Sequence, residues 1–269
     1  MREILLTLLL MAGLASCSTD TDKMVEIRTP YGTMKAVLFD DTPRHRDNFL
    51  RLARAHKYDS LLFHRVLRGY LIQGGDPQSR HAEPGQRLGR NSIGKGIEAE
   101  IRYPEHFHKR GALCAARSQD EVNPTKESSG SQFYIVQGMP QETSKLDEFA
   151  TIHDNKLRGQ IYQDLQVFYQ DSLQQLQDEG KAQELADMHI RIIEKTEMVL
   201  QDKGHFTYPD EVREAYQTIG GTPELDGDYT VFGEVVEGLE IIDSIAQQPV
   251  EVPGLRPAKD IWMVIRVIE

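Results

Sequence analysis

Short apolar segments, each closed off by glycine or proline, restrict the fold open to this chain more than any other feature. Val25 and Ile27 alternate with polar residues, Pro30-Tyr31-Gly32 marks a turn, and Met34 to Phe39 brings the chain back, the pattern of a β-hairpin. Further strands are predicted around Phe63 and Leu71, over Gly111 to Ala116, over Gln132 to Val136, and over the apolar end Ile261 to Ile268, with Gly85 to Gly96 as loop. A helix follows the first hairpin: Thr42 suits the N-cap, Pro43 the first helical position, and Phe49, Leu52 and Ala53 form its apolar stripe. Many short strands with few helices imply a mainly β sandwich or barrel, and the strand pattern leaves both open.

Two of the strand segments carry the chemistry. Phe63 to Pro77 reads FHRVLRGYLIQGGDP and Gly130 to Val136 reads GSQFYIV. Side chains alternate between the faces of a strand, so Phe63 and Arg65 are expected on one side and His64 and Val66 on the other. By the same rule Gln132 and Tyr134 share a face, with Phe133 and Ile135 opposite. A surface bearing a guanidinium, two carboxamides and aromatic rings, with no nucleophile, suits binding and polarising a neutral peptide group.

These segments, with LDGDYTVFG at Leu225 to Gly233, resemble in order the FHR, QGGD, GSQFF and LDG-VFG signatures of the cyclophilin family of peptidyl-prolyl cis/trans isomerases. The similar regions run from about Met24 to Met139 and from about Tyr208 to Glu269. The resemblance implies a closed eight-stranded antiparallel barrel built from residues 24–139 and 205–269, capped by the Phe49 helix and by Leu239 to Ala246. It also implies Arg65 as the catalytic residue, with Tyr70, Leu71, Tyr134 and Leu225 forming a proline pocket and Tyr229 beside it. Gln73 and Gln132 would orient Arg65 and substrate, while Ala116 and Arg117 would offer backbone contacts. No metal or cofactor is needed, and proline-containing polypeptides are the implied partners. Glu224 stands where well-known eukaryotic members carry Trp and Tyr229 where they carry His, which argues against cyclosporin sensitivity. Arg117 replaces the usual Asn, and Tyr134 the usual Phe.

Residues 140–204 are additional. Ile161, Leu165, Phe168, Leu173 and Leu176 recur at helical spacing, as do Leu185, His189, Ile192, Thr196 and Val199, with Gly180 between the two series. A helical hairpin is predicted, with arms Asn155 to Glu179 and Lys181 to Asp202, followed by a short helix from Pro209 to about Gly220. Gln141 to Gln217 holds 16 acidic and 8 basic residues, so its balance of −8 leaves −3 of the total −11 for the rest of the chain. With that overall charge and no basic patch, a nucleic-acid partner is not expected.

Arg2 and the apolar run Ile4 to Leu14 read as a signal segment, residues 1–16, and Leu14-Ala15-Ser16-Cys17 resembles a bacterial lipobox. Lipidation of Cys17, with a polar tether to residue 23, would anchor the protein to a membrane. Ser18 is compatible with sorting to the outer membrane on its periplasmic side. Lipidation consumes one of the two cysteines, so Cys114, within the apolar run ALCAA, is expected as a buried free thiol. His106 and His108 alternate as metal ligands can but have no third ligand at convincing spacing, and are read as structural or solvent-facing. Together these features predict an envelope-tethered peptidyl-prolyl isomerase that assists folding of exported proteins. The alternative is a lipid-anchored, non-catalytic binding module or holdase that uses the acidic helical insert.

Overall fold

A computed structural model describes residues 23–268. The predicted signal segment and Cys17 lie outside these described residues. Strands β1 (Met24–Thr29) and β2 (Gly32–Leu38) make the predicted hairpin. At its turn Thr29 Oγ1 accepts from the Tyr31 amide at 3.1 Å and donates to the Gly32 carbonyl at 3.0 Å. β3 (Leu61–Leu67), β4 (Leu71–Gly74), β5 (Ala112–Ala115) and β6 (Phe133–Val136) follow, then β7 (Val231–Glu237), the paired β8 (Val250–Glu251) and β9 (Arg256–Pro257), and β10 (Trp262–Ile268).

Eight of these strands close into a barrel in the order β1-β10-β3-β4-β6-β5-β7-β2, every neighbour antiparallel. Closure removes the open sheet edges that a sandwich would have to protect. Val25, Ile27, Met34, Ala36 and Leu38 alternate into the interior, as their spacing predicts. Helices α1 (Pro43–Arg54) and α6 (Leu239–Ala246) bury apolar faces in the same core, the first through Phe49, edge-on to Phe133 at 5.3 Å, the second through Ile241, Ile242 and Ile245. Each such side chain withdrawn from water contributes about 1.5–3 kcal/mol.

Thr42 occupies the N-cap of α1 but does not cap it, because its hydroxyl points back to the Phe39 carbonyl. The open amides of Arg44 and His45 are taken instead by the carboxylate of Glu100, at 3.1 and 3.0 Å, from more than fifty residues away.

The insert is longer in helix than its periodicity indicates. α2 (Thr143–Phe168) starts twelve residues before the expected arm and breaks at Tyr169 into α3 (Gln170–Asp178). The chain turns at Gly180 (φ +69°) into α4 (Ala182–Lys203), and α5 (Asp210–Thr218) is the predicted short helix. The first turns of α2 are held by tertiary contact: Leu146 is fully buried with Tyr208, Val212 and Tyr216. Farther out, Ile161, Ile192 and Thr196 are buried, whereas Phe168, read as part of the same stripe, is 75% exposed.

Candidate active site

The position of Arg65 depends on a break in strand alternation. Across the β3–β4 ladder Phe63 faces Gly74 and Arg65 faces Gln73, so His64 is an extra residue, a β-bulge. Phe63 and Val66 therefore both point into the barrel core, and His64 and Arg65 both line the same outer pocket. The expected pairing of Phe63 with Arg65 and of His64 with Val66 is overturned by that one residue. On β6 the alternation holds, with Phe133 and Ile135 in the core and Gln132 and Tyr134 on the other face.

Arg65 is held by a relay of carboxamides. Its Nη1 donates to Gln73 Oε1 at 3.0 Å, Gln73 Nε2 donates to Gln132 Oε1 at 3.1 Å, and Gln132 Nε2 donates to the Asn91 carbonyl at 2.7 Å. Fixing one end at a backbone oxygen settles the orientation of each amide in turn. Among the described residues the guanidinium makes only the Gln73 hydrogen bond, so its other donors remain open to a ligand.

The pocket beside Arg65, about 290 Å³, brings together Tyr70, Leu71, Gln73, Ala116, Arg117, Tyr134, Leu225 and Tyr229, that is, every site residue expected from sequence except Gln132, which reaches it through Gln73, and Cys17. It lies on the outer face of β4, β5, β6 and β7, where Leu71, Ala112, Cys114, Ala116, Tyr134, Val136 and Val231 form a second apolar cluster. Burial pushes the Cys114 thiol well up, so it stays a protonated, inert packing group. The phenols of Tyr70 and Tyr134 are likewise raised by burial, that of Tyr70 also by the nearby Glu224.

A polar chain backs the wall at Tyr134, and sequence did not reveal it. Tyr134 Oη lies 3.0 Å from His108 Nε2, His108 Nδ1 lies 2.7 Å from Asp226 Oδ1, and Tyr216 of α5 donates to Asp226 Oδ2 at 2.6 Å. His108 is thus a buried structural residue, while His106 stacks on Phe39 at 3.9 Å and bonds Asp41 at 2.7 Å. The two histidines go to separate partners.

Arg117 contributes more than backbone. Its side chain is almost fully buried, stacked over Tyr229 at 4.5 Å and donating to the Asp228 carbonyl at 2.7 Å. Asp120 and Asp228 carry the opposing charge, and Lys126 with Lys156 of α2 completes the cluster at 2.6 Å contacts. Burial works to raise the Asp228 pKa, but hydrogen bonds from Lys126 and Lys156 outweigh it and hold the carboxyl below its usual range. The backbone N–H and carbonyl of Arg117 make no hydrogen bond among the described residues, whereas Ala116 already uses both of its own, to Gln132 and Ser129. Of the two expected backbone contacts, only Arg117 is free to pair with a peptide.

Comparison with known proteins is consistent across sequence and fold. A family profile described as cyclophilin type peptidyl-prolyl cis-trans isomerase/CLD matches residues 24–194 and 214–267. A Streptococcus pyogenes protein named as a bifunctional phosphatase/peptidyl-prolyl cis-trans isomerase is 30% identical over 84% of this chain, which spans 34% of that longer protein. A Staphylococcus epidermidis protein named as a peptidyl-prolyl cis-trans isomerase is 28% identical over 86% of this chain and 84% of its own length. Among solved structures, a cyclophilin type peptidyl-prolyl cis-trans isomerase of Cryptosporidium parvum superposes with a TM-score of 0.51 at 21% identity, covering 92% of this chain and 97% of that one, and shares the fold.

Proposed function

The chain belongs to the cyclophilin-type peptidyl-prolyl cis-trans isomerases, and from that membership we propose that Arg65 is its catalytic group and that exported proteins in a bacterial envelope are its clients. A planar amide resists rotation by roughly 18–20 kcal/mol, and proline is the residue whose cis form is appreciably populated. As the bond twists, resonance is lost and the prolyl nitrogen gains a lone pair. A donor fixed opposite that nitrogen binds the twisted state better than either planar isomer, which is the condition for catalysis.

Arg65 is suited to that role. It is always protonated, its remaining donors are open, and the Gln73–Gln132 relay holds it at the pocket wall. Tyr70, Leu71, Tyr134, Leu225 and Tyr229 would hold the proline ring and exclude water, strengthening the field of the guanidinium. The free N–H and carbonyl of Arg117 would pair with the client backbone.

The observation that carries this reading is the oriented guanidinium beside an apolar pocket with donors to spare. Steady-state isomerisation of a proline peptide tests it: Arg65→Ala should lower kcat/KM by about 10²-fold, the loss typical for a preorganised transition-state donor. An unchanged rate would remove Arg65 from the mechanism. The envelope setting is supported by Arg2, the run Ile4 to Leu14 and Cys17; Cys17→Ser should abolish incorporation of a labelled fatty acid and release the protein from the membrane fraction.

A second reading rests on the arm. Val167, Phe168 and Ile190 are 71%, 75% and 54% exposed on the helices of the acidic insert, a surface suited to holding unfolded chains. Replacing residues 166–192 with a short glycine-serine turn should leave peptide isomerisation intact. Loss of protection against client aggregation in that variant would assign the holding role to the arm.

A further inference from the structure

His64 is a buried polar group that the isomerase chemistry leaves unused. It is 3% exposed and neither ring nitrogen has a hydrogen-bond partner. Buried side-chain polar atoms are partnered in the large majority of cases, and an exception calls for a reason. Because His64 is the extra residue of the β3 bulge, its ring leaves the barrel wall and stands in the partition between the proline pocket and a second cavity of about 420 Å³. Gly89 faces it: a Cβ at that position would lie 3.2 Å from His64 Nε2, and φ there is +87°. Any larger residue there would press on that nitrogen, which is shielded from solvent beneath the glycine.

The mouth of the second cavity is cationic. Arg87 and Arg90 line it, both exposed, and among the described residues neither side chain makes a hydrogen bond or ion pair. Arg256, deeper, is neutralised by Asp260 at 2.8 Å, and the one acid in the lining is the exposed Glu251. The loop carrying the two arginines is pinned, since the fully buried Asp76 accepts from the Gly89 amide at 2.6 Å and the Arg90 amide at 3.2 Å. Burial pushes the imidazole down to about 4, so at neutral pH it offers one neutral donor and one acceptor.

We propose that this cavity is a subsite for a carboxylate side chain flanking the isomerising proline, with Arg87 and Arg90 selecting its charge and His64 donating to it. The proposal rests on the isomerase reading for its substrate and extends it to a client class, prolines with a neighbouring acidic residue. The molecule's overall negative charge does not oppose this, because at physiological salt charges farther than about 8 Å away are largely screened. An incoming carboxylate would supply the partner that His64 lacks within the protein.

Titration of the whole protein with proline pentapeptides that carry Glu or Gln at each of the two positions on either side of the proline tests the subsite. At one position the Glu peptide should bind about fivefold tighter than its Gln counterpart, as one partly desolvated charge pair provides. The preference should shrink as salt rises and disappear in the Arg87→Gln/Arg90→Gln variant, whose affinity for the Gln peptide should be unchanged. The imidazole ¹⁵N signals of His64 should shift with the Glu peptide only. Equal binding of Glu and Gln peptides at every position, or a Glu preference that survives the double substitution, overturns the proposal. Turnover of the Gln peptide without Glu preference rejects the subsite and keeps the isomerase reading. Glu preference in a protein that turns over no peptide does the reverse.

Discussion

The ammonium of Lys156 lies 2.6 Å from the Asp228 carboxylate, tying a helix of the insert to the loop that carries Tyr229. The same ammonium reaches Asp120 at 2.6 Å, and between these two acids sits Arg117, stacked on the ring of Tyr229. Three cations and two carboxylates thus brace one wall of the proline pocket, and one of the cations belongs to the arm.

Removing Lys156 should therefore be felt in substrate binding. Lys156→Met leaves Asp228 and Asp120 short of a partner and loosens Arg117 under Tyr229. The expected result is a three- to fivefold rise in KM with kcat little changed, on the scale of a partly exposed ion pair. Lys156→Arg should stay close to the parent protein. Identical kinetics for the folded Met variant would show that the arm does not position the pocket.

Gln132 touches the pocket only through Gln73, yet it sets which way that amide points. Gln132→Ala should lower kcat about tenfold by releasing Arg65, with a smaller change in KM. A double-mutant cycle with Gln73→Ala checks the mechanism, because the two losses should not add if they act through one relay.

Tyr134→Phe should separate stability from catalysis. A carboxylate only accepts, so His108 Nδ1 carries its proton toward Asp226, and Nε2 faces the Tyr134 hydroxyl at 3.0 Å. Loss of that hydroxyl strands a buried nitrogen, at a cost of about 1–3 kcal/mol read from the urea midpoint. The ring still walls the pocket, so peptide turnover should stay within about twofold.

His64 makes stability fall with acid. The folded protein protonates it only near pH 4, the unfolded chain near 6.5. Between those values the unfolded state binds the extra proton, so stability is full above pH 6.5 and declines as pH drops toward 4, by up to about 3 kcal/mol. His45 and His153, also lowered by burial, act in the same sense. Urea midpoints measured across this range should fall less steeply for His64→Gln than for the parent, and equal slopes would contradict a buried neutral imidazole.

Most of the barrel was legible because its signals are local. Alternation marked β1, short apolar segments closed by glycine or proline marked β2, β3 and β6, Pro30-Tyr31-Gly32 marked the first turn, and Leu239 to Ala246 is a helix with the bounds the resemblance implied. Strand β7, Val231–Glu237, was not read from alternation, since Gly233 interrupts its apolar run where a Cβ would meet the Val37 carbonyl at 2.5 Å. The early start of α2 was hidden for a related reason: Leu146 finds its partners, Tyr208, Val212 and Tyr216, some sixty to seventy residues later.

What the chain alone determined was the inventory and its order: most of the barrel strands, the hairpin in the insert, and the side chains available to the pocket, because propensity, turn chemistry and motif spacing act over a few residues. Tertiary structure decided which way they face and what holds them. A single bulge at His64 moved Arg65 away from Phe63 and set an imidazole beside it, and Glu100, Asp226 and Lys156 came from distant segments to cap a helix, back Tyr134 and brace Arg117. Such contacts depend on three-dimensional closure of the chain, and no local pattern in sequence encodes the register at which that closure occurs.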